Sequence, residues 1–313
     1  MYFIDFCKRM TRKANIPVLI YLILNVLVIS FVTELFLGSL ASNGEMPFWQ
    51  ALLIGIVLYA ISLMIALSPF GEWILRLQTG CKKIKREDQK EFIMPIFKKV
   101  YAQARREDPS IPDDVQIYIN SDKEPNAFAT GRKTVCITEG MLEMPENQIK
   151  AALAHEFGHL AHKDTDLILV VSVGNLIVSM MIIGIRIIIE ILHLIFGFAT
   201  LFIGGSEGFL AYITTVIYHA LITAIVAGLT WLWTQIGVLL VMKSSRANEF
   251  EADAFASDLG YGNELCALLE NIDVSGEKGL FASLASSHPD KNDRIAKLQR
   301  LGATYRKTYV HAR

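Results

Sequence analysis

The sequence has few cysteines and no excess of charge of either sign. Its four cysteines, Cys7, Cys81, Cys136 and Cys266, lie far apart and form no CxxC pair, so we predict neither a disulfide framework nor a thiolate zinc site. The 30 basic residues nearly balance the 31 acidic residues, and this balance gives no indication of a nucleic-acid partner. Hydrophobic residues make up 52% of the chain and the mean hydropathy is +0.38, which argues against an ordinary soluble protein.

Charged residues are almost absent from four long stretches of the sequence. The first two, near 16–38 and 48–70, are each long enough to cross a hydrocarbon core of about 30 Å as a helix of about 20 residues. The second pair, 167–203 and 209–242, is interrupted only by a short glycine-rich segment. As helices these two would be about 50 Å long, more than the thickness of the core. We expect either that they tilt strongly or that their ends project beyond the bilayer and pack on a neighbouring domain.

A secretory signal is an alternative interpretation of the N-terminus, because several lysines and arginines precede the first apolar stretch. That stretch is longer than the roughly 7–15 apolar residues of a typical signal, and a second span follows at once. A membrane anchor over residues 1–80 is therefore the prediction.

Lysine and arginine are absent from the linkers at 39–47 and 204–208 and cluster at the opposite ends of the four spans. By the positive-inside rule, both termini and the polar part of the chain face the cytoplasm. The sequence thus predicts a multi-pass protein of the cell (inner or plasma) membrane.

The polar residues form two blocks, 81–166 and 243–313, which the apolar hairpin 167–242 separates. We expect the two blocks to form one domain. Within the first block, 115–119 alternates like a strand, 134–138 has the composition of a second strand, and 147–162 has the pattern of an amphipathic helix.

The predicted helix carries His155-Glu156-Phe157-Gly158-His159, the pattern HExxH. His155 and His159 are four residues apart and leave the same face of a helix, so both can bind one metal ion. Glu156 lies beside that position, where it can take a proton from an attacking water and pass it to a leaving amine. Zn²⁺ is the ion that this ligand type favours. A chance match on an amphipathic helix is the alternative for the motif alone.

A catalytic zinc site needs a third protein ligand. Thr165 occupies the position of a metzincin histidine, and His162 would have to reach back along the helix. Glu249 and Asp253, also four residues apart, share one face of a predicted helix beyond the hairpin. We predict that Glu249 is the third ligand and that Asp253 orients a ligating histidine. The alternative is a merely acidic helix face, to which Glu251 would also belong.

An ordered set of motifs extends over nearly the whole chain. It comprises the two N-terminal spans, Pro125-Asn126-Ala127-Phe128-Ala129-Thr130-Gly131, the HExxH helix followed by Asp164, the apolar hairpin, Ser245-Arg246 before Glu249 and Asp253, and Ser287-His288-Pro289 with Arg294. This set resembles the HtpX membrane metalloproteases and, more distantly, the CAAX prenyl endopeptidases. The resemblance implies that the two histidines and Glu249 bind zinc and that Glu156 is the general base.

The resemblance also implies the fold and the roles of further residues. The fold expected is a mostly α integral membrane protein with four transmembrane helices and a cytoplasmic α+β, zincin-like protease domain with a small sheet. His288 would donate a hydrogen bond to the tetrahedral oxyanion, and Arg246 and Arg294 would pair with carboxylates near the metal. An edge strand would pair with an extended substrate, although a plain strand-to-turn segment is the alternative; its residues are Asn126, Ala127, Phe128 and Ala129.

The function that follows is zinc-dependent cleavage of peptide bonds. The resemblance implies that the substrates are misfolded or damaged membrane proteins, cut at the cytoplasmic face. Two alternatives remain: a processing protease for specific peptides, including lipidated ones, and a non-catalytic zinc-bearing membrane scaffold, which would have no need of Glu156. The partners expected are polypeptides and the lipid bilayer, without nucleic acid.

Overall fold

The structure, a computed structural model, describes residues 15–40, 46–202, 205–271 and 289–306. Most of these residues are helical. In chain order the elements are α1 (Ile16–Leu40), α2 (Phe48–Ala66), α3 (Pro69–Gln78), α4 (Glu87–Glu107), β1 (Gln116–Asn120), β2 (Ala127–Thr130), β3 (Thr134–Thr138), a 3₁₀ helix (Gly140–Glu143), α5 (Glu146–His162), α6 (Asp164–Leu201), α7 (Gly205–Asp258), α8 (Gly262–Asn271) and α9 (Lys291–Arg300).

Among the described residues, four helices are long and apolar enough to cross a membrane. Their apolar windows are Ile16–Glu34, Phe48–Ala66, Ile182–Thr200 and Gly205–Trp233. Almost none of the last two windows is buried inside the protein, as expected of helices whose side chains face lipid. Together with the small sheet, these helices confirm the predicted fold class.

The chain divides into two compact units. The second unit, residues 24–62 and 174–239, contains most of the apolar helices. Its buried Asn25 donates a hydrogen bond to the Tyr59 hydroxyl over 3.3 Å and accepts one from the Trp233 indole over 3.1 Å. Hydrogen bonds of this kind between apolar helices each contribute roughly 0.6–2 kcal/mol to their association. The side chain of Asn25 therefore joins α1, α2 and α7.

The first unit comprises the described parts of residues 1–23, 63–173 and 240–313, and α5 is its central helix. Nearly every side chain of α5 from Ile149 to Ala161 is buried. The rings of Phe97, Tyr101 and Phe157 pack together with centroid distances between 5.4 and 5.7 Å. A helix enclosed on all sides needs partners for each polar side chain it carries.

A three-stranded sheet lies beside α5 in the order β1-β3-β2. The fully buried β3 is central, with β1 parallel and β2 antiparallel to it. Gly131, with a φ of +66°, turns the chain from β2 into β3, a backbone conformation that favours glycine. Because β2 is last in the order, its outer edge pairs with no other strand among the described residues; this edge is called the open edge below.

α7 continues far beyond its apolar window. It runs for 54 residues as one helix, and its part after residue 240 belongs to the first unit. There Ala252 and Ala256 are fully buried. The end of α7 is therefore part of the first unit, which is compatible with one of the two arrangements expected for the long apolar helices.

α5 and α7 approach each other closely at Gly158. A Cβ atom added to Gly158 would lie 2.8 Å from the Cα and 3.1 Å from the carbonyl oxygen of Ala252. Real Cβ atoms do not approach backbone atoms so closely. Glycine at this position therefore allows the two helices to touch, and the small Ala252 opposite it contributes to the same contact.

We predict that Gly158→Ala lowers the melting temperature of the purified protein. The added methyl group overlaps backbone atoms of α7, and such overpacking costs about 1–3 kcal/mol. Gly228→Ala is the matched control, because a Cβ there meets no atom within 4 Å. Thermal unfolding of both variants in the same detergent measures the difference; equal melting temperatures would contradict the contact.

Candidate metal centre and active site

Three side chains from two helices converge in the first unit. The Nε2 atoms of His155 and His159, on α5, are 3.2 Å apart. The carboxylate of Glu249, on α7, has one oxygen 3.3 Å from Nε2 of His159 and the other 3.5 Å from Nε2 of His155. Among the described residues these three form the group that can hold a metal ion. The structure thus brings together the three residues predicted as ligands.

The spacing of these ligand atoms fits a small tetrahedral ion. Bonds of about 2.05 Å in a tetrahedron place neighbouring ligand atoms about 3.3 Å from each other. The two imidazole nitrogens are 3.2 Å apart, and each lies 3.3 or 3.5 Å from one of the two Glu249 oxygens, so the three groups are about as far apart as such an ion requires. Two imidazoles and one carboxylate also leave a fourth position for water, as in catalytic metal sites.

Each histidine is oriented by a carboxylate on its other ring nitrogen. Nδ1 of His155 is 2.9 Å from Asp253, and Nδ1 of His159 is 3.1 Å from Asp164. A proton held at Nδ1 by a carboxylate leaves the lone pair of Nε2 available for a metal ion. The pairing of His155 with Asp253 is the arrangement predicted from the spacing of Glu249 and Asp253.

The role of Asp164 was not predicted, although the residue is part of the motif set. Lys163, between α5 and α6, adopts a left-handed conformation with a φ of 59°. This turn ends α5 and brings Asp164 back to His159. The only signal in the sequence is an acidic residue shortly after the second histidine, and the reversal that makes it useful is not visible in the spacing.

Arg294, on α9, balances part of the negative charge of the site. Its guanidinium group donates to both oxygens of Asp253, over 2.8 and 2.6 Å, and lies 3.2 Å from Glu249. Burial by itself would raise the pKa of Asp253, but Arg294 and His155 outweigh it and lower this pKa to about 2. Asp253 therefore stays ionised and can accept the proton of His155.

The carboxylates raise the pKa of the two histidines, whereas Arg294 and His155 lower the pKa of Asp253. Burial alone lowers the pKa of His155 and His159, but the bonded carboxylates outweigh burial, so the pKa of His155 is raised and that of His159 lies well above its usual value. The surroundings thus favour positive charge at this position. A divalent cation held by His155, His159 and Glu249 would supply that charge in place of the protons on the ligand nitrogens.

Glu156 connects the metal group to the sheet. Its buried carboxylate accepts a hydrogen bond from the backbone N–H of Ala129, on β2, over 2.5 Å. Glu156 directly follows His155 in the sequence, but its side chain points to the strand and not into the group of three ligands. This contact between the motif glutamate and the edge strand was not anticipated from the sequence.

The register of β2 shows which of its backbone groups face outward. Thr138 N–H donates to the carbonyl of Asn126, and Phe128 is paired with Cys136. In an antiparallel pair, hydrogen-bonded positions alternate, so the N–H and C=O groups of Ala127 and Ala129 face the open edge. The bond from Ala129 to Glu156 fits this assignment. The open edge of β2 and Glu156 therefore adjoin.

The other candidates have different outcomes. His288 lies outside the described residues. Arg246 is exposed, and no ion pair joins it to a residue within the described ranges, so its predicted pairing near the metal is not seen there. His162 is half-buried, with its ring edge-on to Phe255 at 6.2 Å, and it is not a member of the metal group.

We predict that Glu249→Ala abolishes tight binding of Zn²⁺ and that Asp253→Asn weakens it by about 10–100-fold, the usual effect of losing the partner of a metal-binding histidine. Glu251→Ala, on the same helix, is the control and should bind as the parent does. Competition with a chromogenic chelator measures the affinities. Unchanged affinity in Glu249→Ala would remove this residue as a ligand.

Comparison with known proteins gives the same assignment. Residues 89–301 match the model of peptidase family M48. A protease HtpX homolog of Campylobacter hominis is 31% identical over 214 residues, which are 59% of this chain and 68% of that protein. Protease HtpX of Alcanivorax borkumensis is 27% identical, with 90% of this chain and 97% of that protein covered.

The crystal structure of S. mikatae Ste24p is also similar, at 19% identity and a TM-score of 0.38 over 87% of this chain and 62% of that one. The M48 match covers more than half of the chain and includes the HExxH helix, Glu249 and Arg294. The chain therefore belongs to peptidase family M48 and is a multi-pass membrane metalloprotease.

Proposed function

We propose that this protease is a zinc-dependent endopeptidase that cuts misfolded or damaged membrane proteins at the cytoplasmic face of the membrane. The observation that carries the proposal is the position of Glu156, which lies between the metal group and the open edge of β2. A structural metal site has no need of a carboxylate at this position, whereas hydrolysis of a peptide bond requires a proton acceptor there.

The donor set supports zinc as the metal. Two imidazoles and one carboxylate, with a fourth position open, are the ligands of many catalytic zinc sites. A bound zinc ion lowers the pKa of water to about 7 and polarises a carbonyl group. Asp253 and Asp164 hold the two imidazoles in the orientation that such an ion requires.

The protein's own residues then move the protons and hold the substrate. Glu156 takes a proton from the attacking water and delivers it to the nitrogen of the leaving amine. His288, by its resemblance to the corresponding histidine of HtpX proteases, donates a hydrogen bond to the developing oxyanion. Arg294 keeps Asp253 and Glu249 in place. Arg246, which is exposed, is proposed only as an outer member of this charge network.

The edge of β2 supports recognition of extended, unfolded segments. Ala127 and Ala129 direct backbone groups to the open edge, and the N–H of Asn126 is held by the Thr138 hydroxyl over 2.8 Å. A substrate that adds a strand here is bound chiefly through its main chain, so that its side chains matter less. Such tolerance suits damaged proteins of varied sequence.

The charge distribution supports the orientation. Lysine and arginine are absent from the linkers at 39–47 and 204–208, and the positive-inside rule therefore supports a proposed orientation with both linkers outside the cell and both termini in the cytoplasm. In this arrangement residues 1–80 anchor the protein, and the hairpin 167–242 adds two further spans. The protease domain is built from 81–166, with the HExxH helix, and from 243–313, with the third ligand.

We predict that Glu156→Gln retains zinc but loses cleavage of an unfolded test protein by about 10²–10⁴-fold, the usual contribution of general acid–base catalysis. Glutamine keeps the shape of the side chain but cannot accept the proton. Glu146→Gln, at the exposed start of the same helix, is the control. Zinc content and cleavage rate are measured on the same preparation, and a Glu156→Gln enzyme as active as the parent would refute the mechanism.

We also predict an alternating response to backbone methylation of a cleaved peptide. N-methylation at successive positions removes one amide donor at a time, and only every second amide of an added strand faces β2. KM should rise at alternate positions around the scissile bond and change little between them. A response that is uniform, or that follows side-chain identity instead, would argue against strand addition.

A further inference from the structure

The short helix α3 has two faces of different character. Gly71, Glu72 and Leu75 are buried, whereas Phe70, Trp73 and Leu77 are 56%, 49% and 60% exposed. At about 100° per residue, the three exposed side chains lie within an arc of about 60°, on the side opposite to the buried residues. Three large apolar side chains grouped on one side of a helix form a surface that water does not favour.

The position of α3 in the chain indicates what covers this surface. Only Leu67 and Ser68 separate α3 from the apolar window Phe48–Ala66. Three Cα–Cα steps of 3.8 Å place the first residue of α3 within about 11 Å of the end of that window. The start of α3 therefore lies at the boundary where the span leaves the hydrocarbon core.

A tight turn holds α3 at this boundary. A Cβ atom on Gly71 would lie 2.1 Å from the carbonyl oxygen of Ala66 and 2.7 Å from that of Ile65. The absence of a side chain at Gly71 thus lets α3 fold directly onto the last turn of α2. Ser68 caps the new helix by accepting from the N–H groups of Phe70 and Gly71, so that the chain changes direction without a longer linker.

The opposite face of α3 is bound to the sheet. Glu72 accepts hydrogen bonds from the backbone N–H of Lys133 over 2.8 Å and from the hydroxyl of Thr134 over 3.1 Å. Arg76, one turn later, also donates to Thr134 over 3.1 Å. These contacts hold the β2–β3 turn. Glu72 lies so close to Gly131 in this turn that position 131 has no room for a side chain. α3 is thus fixed between the end of α2 and the turn that joins β2 to β3.

The residues after α3 are basic. Lys82, Lys83, Lys85 and Arg86 are all exposed, within a few residues of the end of the helix. Lysine and arginine next to a membrane span attract anionic lipid head groups, each by about 1 kcal/mol. Tryptophan and other amphipathic side chains are enriched at the same depth. The charge and the apolar surface both fit the lipid–water interface.

We propose that α3 is an interfacial helix. Its apolar face, formed by Phe70, Trp73 and Leu77, lies in the boundary between head groups and acyl chains, and its opposite face holds the first unit against that surface through Glu72. The partner is the bilayer itself, and the arrangement does not depend on catalysis.

Depth-dependent fluorescence quenching tests the proposal. The chain has four tryptophans, so replacing Trp49, Trp231 and Trp233 by phenylalanine leaves Trp73 as the sole emitter. The full-length protein is reconstituted into phosphatidylcholine–phosphatidylglycerol vesicles that carry bromine either near the top of the acyl chains or near their ends. We expect loss of Trp73 emission with the shallow bromine, a smaller loss with the deep bromine, and weak quenching by aqueous iodide.

Leu301→Trp, with all four native tryptophans replaced by phenylalanine, is the matched control. Leu301 is 48% exposed, nearly the same as Trp73, but it follows the highly charged helix α9. Iodide should quench this control and brominated lipid should not. Three outcomes would overturn the proposal. Trp73 is quenched by iodide alone, or it is reached by neither quencher because another part of the chain covers it, or brominated lipid quenches Trp73 and the Leu301→Trp control equally.

Discussion

The active site depends on one close contact between two helices. Gly158 of α5 lies against the backbone of Ala252 on α7, and this contact sets the distance at which Glu249 and Asp253 face the two histidines. Any side chain at Gly158 would separate the helices by part of an ångström or more, whereas metal ligands tolerate errors of only about 0.2 Å. Gly158, at the second variable position of the HExxH motif, thus has a packing role beside the residues that carry the chemistry.

Charge explains why the buried site is built for a cation. Glu156, Glu249, Asp253 and Asp164 are all buried near the histidines, and Arg294 supplies one permanent positive charge among them. Burying ionised groups is costly unless each has a partner. Protons on the histidines reduce the imbalance, as their raised pKa shows, and a divalent ion held by His155, His159 and Glu249 would reduce it further.

The sequence was sufficient to predict what depends on spacing along one helix. The pairs His155–His159 and Glu249–Asp253 each repeat at one turn, so their faces could be assigned without coordinates. The contact between Asp164 and His159 could not be predicted in this way, since it depends on the left-handed backbone conformation of Lys163. The hydrogen bond from Ala129 to Glu156 could not be predicted either, since it depends on which backbone groups of β2 face outward. The continuity of α7 was also missed, because its apolar part and its acidic part have different compositions within one helix.

The membrane helices also explain how ligands so far apart in sequence meet. Closing a long flexible loop between His159 and Glu249 would cost conformational entropy, but α6 and α7 fill nearly all of that interval. α6 begins two residues after α5 ends, and α7 carries Glu249 on the same helix as its span. An antiparallel helical hairpin brings the chain back close to the point where the hairpin began. The apolar insertion therefore lowers the conformational entropy cost of bringing the two halves of the site together.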